Sequence, residues 1–148
     1  MHIQQWNKQD DIFNGVLDAD YKTRDYCDVF YVADKGFAVL NYQPLYGLYR
    51  RLDIPEIQDV FVLPEHRQQG IATALIKHCE SVALAAGKSM AGISVPVSPQ
   101  FGAAQCLYIN LGYKPDGNGV SYERDAVIHN QAYPVDDNLC LMLIKELS

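Results

Sequence analysis

The sequence predicts one α/β or α+β domain built on a mixed sheet. Three observations carry that expectation. Strand-like and helix-like patterns alternate through the C-terminal half, in the order strand, helix, strand, helix, strand. A turn signal, Asp34-Lys35-Gly36, joins two β-rich runs before them, as in a hairpin. The 148 residues are about one domain's worth, with no linker, repeat or low-complexity block to divide residues 1–148.

Residues 9–19 are expected to form a short helix with Ile12, Val16 and Leu17 on one side. Asp28 to Ala33 and Phe37 to Tyr42 are the arms of the hairpin. The aromatic and basic stretch from Pro44 to Ile54 is assigned no structure, although Tyr42, Tyr46 and Tyr49 recur at helical spacing. Ile57 to Leu63 reads as a strand stopped by Pro64, followed by a polar turn over residues 65–69. From Gly70 a long helical pattern runs through Ile71, Leu75, Cys79, Val82 and Ala86, and Gly87 is its expected stop. Met90 to Val95 is a strand closed by Pro96 and Pro99. Ala103 to Leu111 is a second helix, with Ala104, Leu107, Tyr108 and Leu111 on one face and Gly112 at its end. Leu139 to Ile144 is the last strand.

Composition narrows the function. Hydrophobic residues make up 49% and charged residues 20% of the chain, which is enough apolar matter for a packed core. Twelve Lys and Arg against eighteen Asp and Glu leave a net charge of −6. A nucleic-acid partner is not expected, because phosphate-backbone binders cluster Lys and Arg. A local basic pocket for one small anion is compatible with that balance. No apolar run reaches the roughly 18–20 residues of a membrane helix, and Met1 to Trp6 shows no basic region leading into an apolar core, so no membrane association is expected. Cys27, Cys79, Cys106 and Cys140 are dispersed and read as reduced thiols, which makes cytoplasmic the expected location.

The chemistry concentrates at the strand, turn and helix of residues 57–86. The first turn of a helix has unpaired N–H groups, and its dipole favours negative charge. Small residues at Gly70 and Ala72 let a phosphate approach the backbone, and Arg67 adds a permanent cation. That suits a diphosphate, although a plain helix start with a solvated arginine has the same composition. Neither Gly-Lys-Ser/Thr nor Gly-x-Gly-x-x-Gly is present.

Arg67-x-x-Gly70-x-Ala72 resembles the Gln/Arg-x-x-Gly-x-Gly/Ala signature of the GNAT superfamily, the acetyl-CoA-dependent N-acetyltransferases. Leu63-Pro64-Glu65-His66-Arg67 before it is similar to the family's strand-to-loop segment. Ala104 to Tyr113 resembles its later A-x-x-L-Y-x-x-x-G-F/Y segment. These elements cover about residues 57–113. Residues 101–119 and Val135 to Leu139 are similar to a branch of small GNAT proteins.

The resemblance implies a central mixed, mostly antiparallel twisted sheet flanked by helices. It implies acetyl-CoA as cosubstrate, no metal, and an amine acceptor, either a small molecule or a protein amine; homodimers are common in the family. The coenzyme's pyrophosphate would rest on the loop of Arg67, Gln68, Gln69, Gly70, Ile71 and Ala72. Its pantetheine arm would follow the strand at 60–62, flanked by Phe61 and Val62. Splaying of that strand from the one at 90–95 would admit the thioester. Tyr108 matches the family's general acid, and a phenol of pKa near 10 is roughly matched to a thiol leaving group; packing alone would also explain an aromatic on that helix face. Glu56 and Asp59 are candidate bases acting through water, or else solvated carboxylates. In a regular strand the two would face opposite sides. Phe101 stands where the family often has Asn and offers the coenzyme no side-chain amide.

Other signals are weaker. His66, His78 and His129 lack metal spacing, and Cys106 lacks an adjacent histidine. Tyr42, Tyr46 and Tyr49 with Arg50-Arg51 suit either a substrate lip or packing beside a solvated turn. Asp136-Asp137 would attract a cationic amine or simply interrupt a strand edge. Two functions follow: acetyl transfer to a primary amine by direct attack, or a catalytically silent acyl-CoA sensor that recruits a partner. Tyr108 favours the first, since a silent protein has no chemical need for that phenol.

Overall fold

The computed structural model describes all 148 residues. Eight strands form one sheet: β1 (Gln4–Gln5), β2 (Cys27–Val32), β3 (Gly36–Asn41), β4 (Glu56–Val62), β5 (Met90–Pro96), β6 (Lys114–Tyr122), β7 (Asp125–Ala126) and β8 (Leu139–Glu146). Their order across the sheet is β1-β2-β3-β4-β5-β8-β6-β7. The helices are α1 (Gly47–Arg51), α2 (Ile71–Ala85) and α3 (Gly102–Asn110). All neighbours are antiparallel except β4 and β5. That parallel pair is joined through α2, the crossover that parallel strands require.

The expected hairpin is β2 and β3, with Val32 opposite Gly36. Asp34 takes the left-handed conformation its tight turn needs, at φ 61°. Helix α2 ends where Gly87 supplies a φ of 85°, and the Lys88 amide bonds back to the Ala83 carbonyl at 3.0 Å. Its apolar stripe, Ile71, Leu75, Ile76, Cys79 and Ala83, is buried against β2 to β5, where Phe30, Leu40, Ile57 and Ile93 meet it. Tyr108 of α3 joins that cluster.

The opposite face of the sheet is covered by two smaller clusters. Trp6 and Tyr21 from the N-terminal segment pack on Val29, Phe37 and Val39. Tyr46 and Tyr49 of the α1 region pack on Ile54, Cys140 and Met142. The tyrosines of the 42–49 stretch are thus largely packing groups, while Arg50 and Arg51 are exposed. Tyr49 donates to the Leu143 carbonyl at 2.5 Å, and the hydroxyl end of its ring occupies the space a side chain at Gly92 of β5 would need.

The helix expected over residues 9–19 does not form. Phe13 and Gly15 have positive φ, 50° and 83°, which breaks any helical run. Ile12, Phe13 and Leu17 instead reach the N-terminal cluster from a chain of turns, and a single 3-10 turn follows at Ala19–Thr23. No helix is long and apolar enough to cross a membrane.

Candidate active site

Strands β4 and β5 pair only at Glu56 with Gly92 and at Ile57 with Ile93. Beyond those rungs they part. The cause is local to β4: its register with β3 steps from Val39–Gln58 to Phe37–Phe61, so β4 carries one extra residue there. Asp59 sits in that bulge with φ 51°. Between the parted strands lies a cleft of about 700 Å3. Gln58 to Phe61 form one wall, and Ile93 to Pro96 form the other. Phe101, Ala104 and Tyr108 of the α3 region close one end. Glu123, Arg124, Asp137 and Asn138 stand at the β6–β7 and β8 end.

The bulge overturns the expected alternation of Glu56 and Asp59. The Tyr21 hydroxyl donates to Asp59 and accepts from Gln58 Nε2 at 2.7 Å. Two consecutive residues reaching one hydroxyl is impossible in a regular strand, where neighbours point apart. Asp59 therefore shares the side of Gln58 and Glu56. Asn41 donates to Gln58 at 3.2 Å, so the bulge is held by a chain of hydrogen bonds from β3 to the N-terminal segment. Asp59 itself is exposed and lines the cleft.

Glu56 is 1% exposed and is not on the cleft wall. Arg124, which is on that wall, donates to Glu56 Oε2 at 2.8 Å. Burial pushes the Glu56 carboxyl up to about 7 despite the arginine, and the Asp59 charge adds to the rise. Arg124 is presented by the two-residue turn between β6 and β7, in which Glu123 and Arg124 both have positive φ, 51° and 70°. Such turns normally take Asn or Gly, and each non-glycine residue there costs about 1–2 kcal/mol. The Glu123 amide is tied to the Asn138 carbonyl at 3.1 Å.

Tyr108 is 8% exposed and lines the cleft, and its hydroxyl has no hydrogen-bond partner within the protein. Burial alone raises its phenol to about 12. It is therefore a protonated donor throughout the neutral range.

At the far end of β4 a 3-10 turn, Pro64–His66, leads into the loop before α2. Gln68 and Gly70 are both left-handed, at φ 61° and 80°. The first bond at the helix start runs from the Ala74 amide to the Gly70 carbonyl at 3.0 Å. The amides of Ile71, Ala72 and Thr73 precede it and have no acceptor in the chain. Arg67 folds back so that its Nε donates to the Val62 carbonyl at 3.0 Å. Val62 and Ile71 turn their side chains into the core, so only their backbone is available to a ligand. Arg67, Gln68, Gln69 and Gly70 are exposed. No three His, Cys, Asp or Glu side chains converge in a way that would hold a metal.

A family model described as an acetyltransferase (GNAT) domain matches residues 27–115. The chain belongs to the GNAT acetyltransferase family. The overall fold of this GNAT domain also recurs in solved structures. A GNAT family acetyltransferase from Elizabethkingia anophelis, solved with acetyl-CoA bound, has a TM-score of 0.71 at 15% identity, over 99% of this chain and 97% of that one. An IAA acetyltransferase from Bacillus cereus has a TM-score of 0.69 at 19% identity, over 99% of both chains. A ribosomal-protein-S18-alanine N-acetyltransferase from Escherichia coli has a TM-score of 0.56 at 17% identity, over 84% of this chain and 70% of that one. At these identities the likeness is one of fold. Among curated proteins no sequence matches.

As a GNAT acetyltransferase the chain is an acyl-transfer enzyme. Sequence reasoning named Tyr108, Asp59 and Phe61, which all line its cleft, and the α2 loop, which lies at the end of the same strand. It missed Arg124, Glu123 and Tyr21. Arg124 and Glu56 are 68 positions apart, and nothing in either segment announces the other.

Proposed function

We propose that this GNAT domain transfers the acetyl group of acetyl-CoA to a primary amine by direct attack, without a covalent enzyme intermediate. The observation that carries the reading is the cleft at the parted strands, with the unpartnered Tyr108 phenol at one end and the Asp59 carboxylate, held by the Tyr21 hydroxyl, on the β4 wall. Acetyl-CoA bound to the Elizabethkingia anophelis neighbour supports the choice of donor. The open amides of residues 71–73 suit a pyrophosphate, with Arg67, Gln68, Gln69 and Gly70 around it. The pantetheine arm would run along Phe61 and the Val62 backbone.

In this reading the amine nitrogen attacks the thioester carbonyl, the N–C bond forms and the C–S bond breaks. One N–H proton passes to a carboxylate, and Tyr108 gives its proton to the departing sulfur; exchange with solvent then returns a proton to the phenolate and removes one from the carboxylate, so the net transfer is from nitrogen to sulfur. Asp59 is the carboxylate on the cleft wall. Glu56, the other candidate, stands behind Arg124 and would act only if that arginine swung aside.

Tyr108→Phe tests the reading. The hydroxyl makes no bond within the protein, so the variant should fold as stably as the parent. Thiol release from acetyl-CoA in the presence of amines should fall about 100-fold or more, with acetyl-CoA affinity unchanged. Undiminished turnover would remove Tyr108 from the chemistry. Because burial holds this phenol near 12, the parent should show no loss of rate from its ionisation across neutral pH.

A further inference from the structure

Arg124 is only partly used by the protein. One NH2 hydrogen goes to Glu56 at 2.8 Å, and NH1 stands 3.8 Å from the Met142 thioether, a weak acceptor. The rest of its N–H donors have no partner, and the side chain is 27% exposed on the cleft wall. A strained turn, left-handed at both Glu123 and Arg124, is what delivers it there. A purely structural ion pair would explain neither the strain nor the unused donors, since buried ion pairs add little over well-packed apolar groups. Glu56 anchors the guanidinium through one NH2 hydrogen, and the remaining N–H donors are chemically suited to a carboxylate. The remaining charged groups on the cleft wall are Asp59, Glu123 and Asp137, all acidic. The cleft therefore offers one cation among carboxylates, a pattern complementary to a zwitterion.

We propose that Arg124 binds a carboxylate of the acceptor, so that the acceptor is a free amino acid or a close relative rather than a simple amine or a protein side chain. The inference rests on the acyl-transfer reading above. The acceptor's ammonium faces Asp59, and its carboxylate lies on the fork of Arg124. Glu56 is a positioning residue in this arrangement, since it acts through the guanidinium.

The test is a panel of free amino acids, each beside its carboxamide and its decarboxylated amine, with polyamines added. Thiol release from acetyl-CoA gives kcat and KM, and acetyl-CoA binding is measured separately. The expected result is kcat/KM at least about 100-fold higher for the preferred amino acid than for its own amide or decarboxylated amine. Arg124→Lys keeps a cation on Glu56 but loses the fork. It should shrink that preference below about 10-fold, through KM rather than kcat. The parent panel decides the matter even if the variant fails to fold. Amides, decarboxylated amines or polyamines acetylated as well as amino acids would overturn the role of Arg124 and leave acyl transfer standing. Acetyl-CoA binding with no acetylation of any amine would overturn both.

Discussion

Ile57 of β4 pairs with Ile93 of β5, and that rung is the last between the two strands. Everything proposed for the site depends on it. On the N-terminal side the pair is locked by Glu56 opposite Gly92. On the C-terminal side the Asp59 bulge turns β4 away and opens the cleft.

Gly92 is the tightest point of that lock. A Cβ added there would lie 2.4 Å from the Tyr49 ring. Tyr49 cannot yield easily, because its hydroxyl is held by the Leu143 carbonyl at 2.5 Å. Gly92→Ala should therefore cost about 1–3 kcal/mol, as overpacking does. Chemical denaturation would show this as a lower midpoint with an unchanged slope. An unchanged midpoint would mean that the ring does not press on β5.

Glu56 makes stability depend on pH in a particular direction. Its carboxyl rises from the usual 4.5 to about 7 in the folded chain, so the folded state binds this proton more tightly than the unfolded state. The stabilisation from the bound proton is complete below about pH 4.5 and is lost as pH rises towards about 7. The loss should reach about 3 kcal/mol. Denaturation of the parent and of Glu56→Gln across this range measures it. The difference between the two curves should slope through the window and be flat above it. A flat difference throughout would mean that Arg124 offsets the effect of burial and leaves the carboxyl at its ordinary value.

Asp59→Asn separates the two carboxylates. Asn tolerates the left-handed backbone and still accepts from Tyr21, so the bulge should persist and the melting temperature should barely move. Loss of the proton acceptor should lower kcat/KM for the amine about 100-fold or more. An unchanged rate would shift the base to Glu56 or show that the amine arrives already neutral.

The parts of the fold that follow local rules could be read in advance. Periodicity gave α2 and α3, β-rich runs gave β2 to β5, and Gly87 marked a helix end that it does terminate. The failures have specific causes. Ile12, Val16 and Leu17 have helical spacing, but the left-handed Phe13 and Gly15 carry the chain over the sheet as turns. Strand β6 contains Pro115, Gly117 and Gly119 and carried no strand expectation. It survives beside β8 with an irregular register between Pro115 and Val120. At the site, Tyr108 and the α2 loop were visible because each sits in a contiguous motif. The bulge at Asp59 was not, because it depends on how β3 and Tyr21 hold β4. Arg124 was not, because β5 and β8 lie between β4 and β6 in the sheet, and only the tertiary fold brings the β6–β7 turn back to Glu56.

The most direct test of the account is calorimetric titration with acetyl-CoA, using desulfo-CoA as control, on the parent and on Gly70→Val. Gly70 is left-handed at φ 80°, with open space where a side chain would begin. Valine there would strain the loop and crowd the amides at the start of α2. Saturable micromolar binding by the parent, weakened about 10-fold or more in the variant, is the predicted result. No saturable binding by the parent would contradict the placement of the coenzyme on residues 67–72, and with it the role given to the cleft.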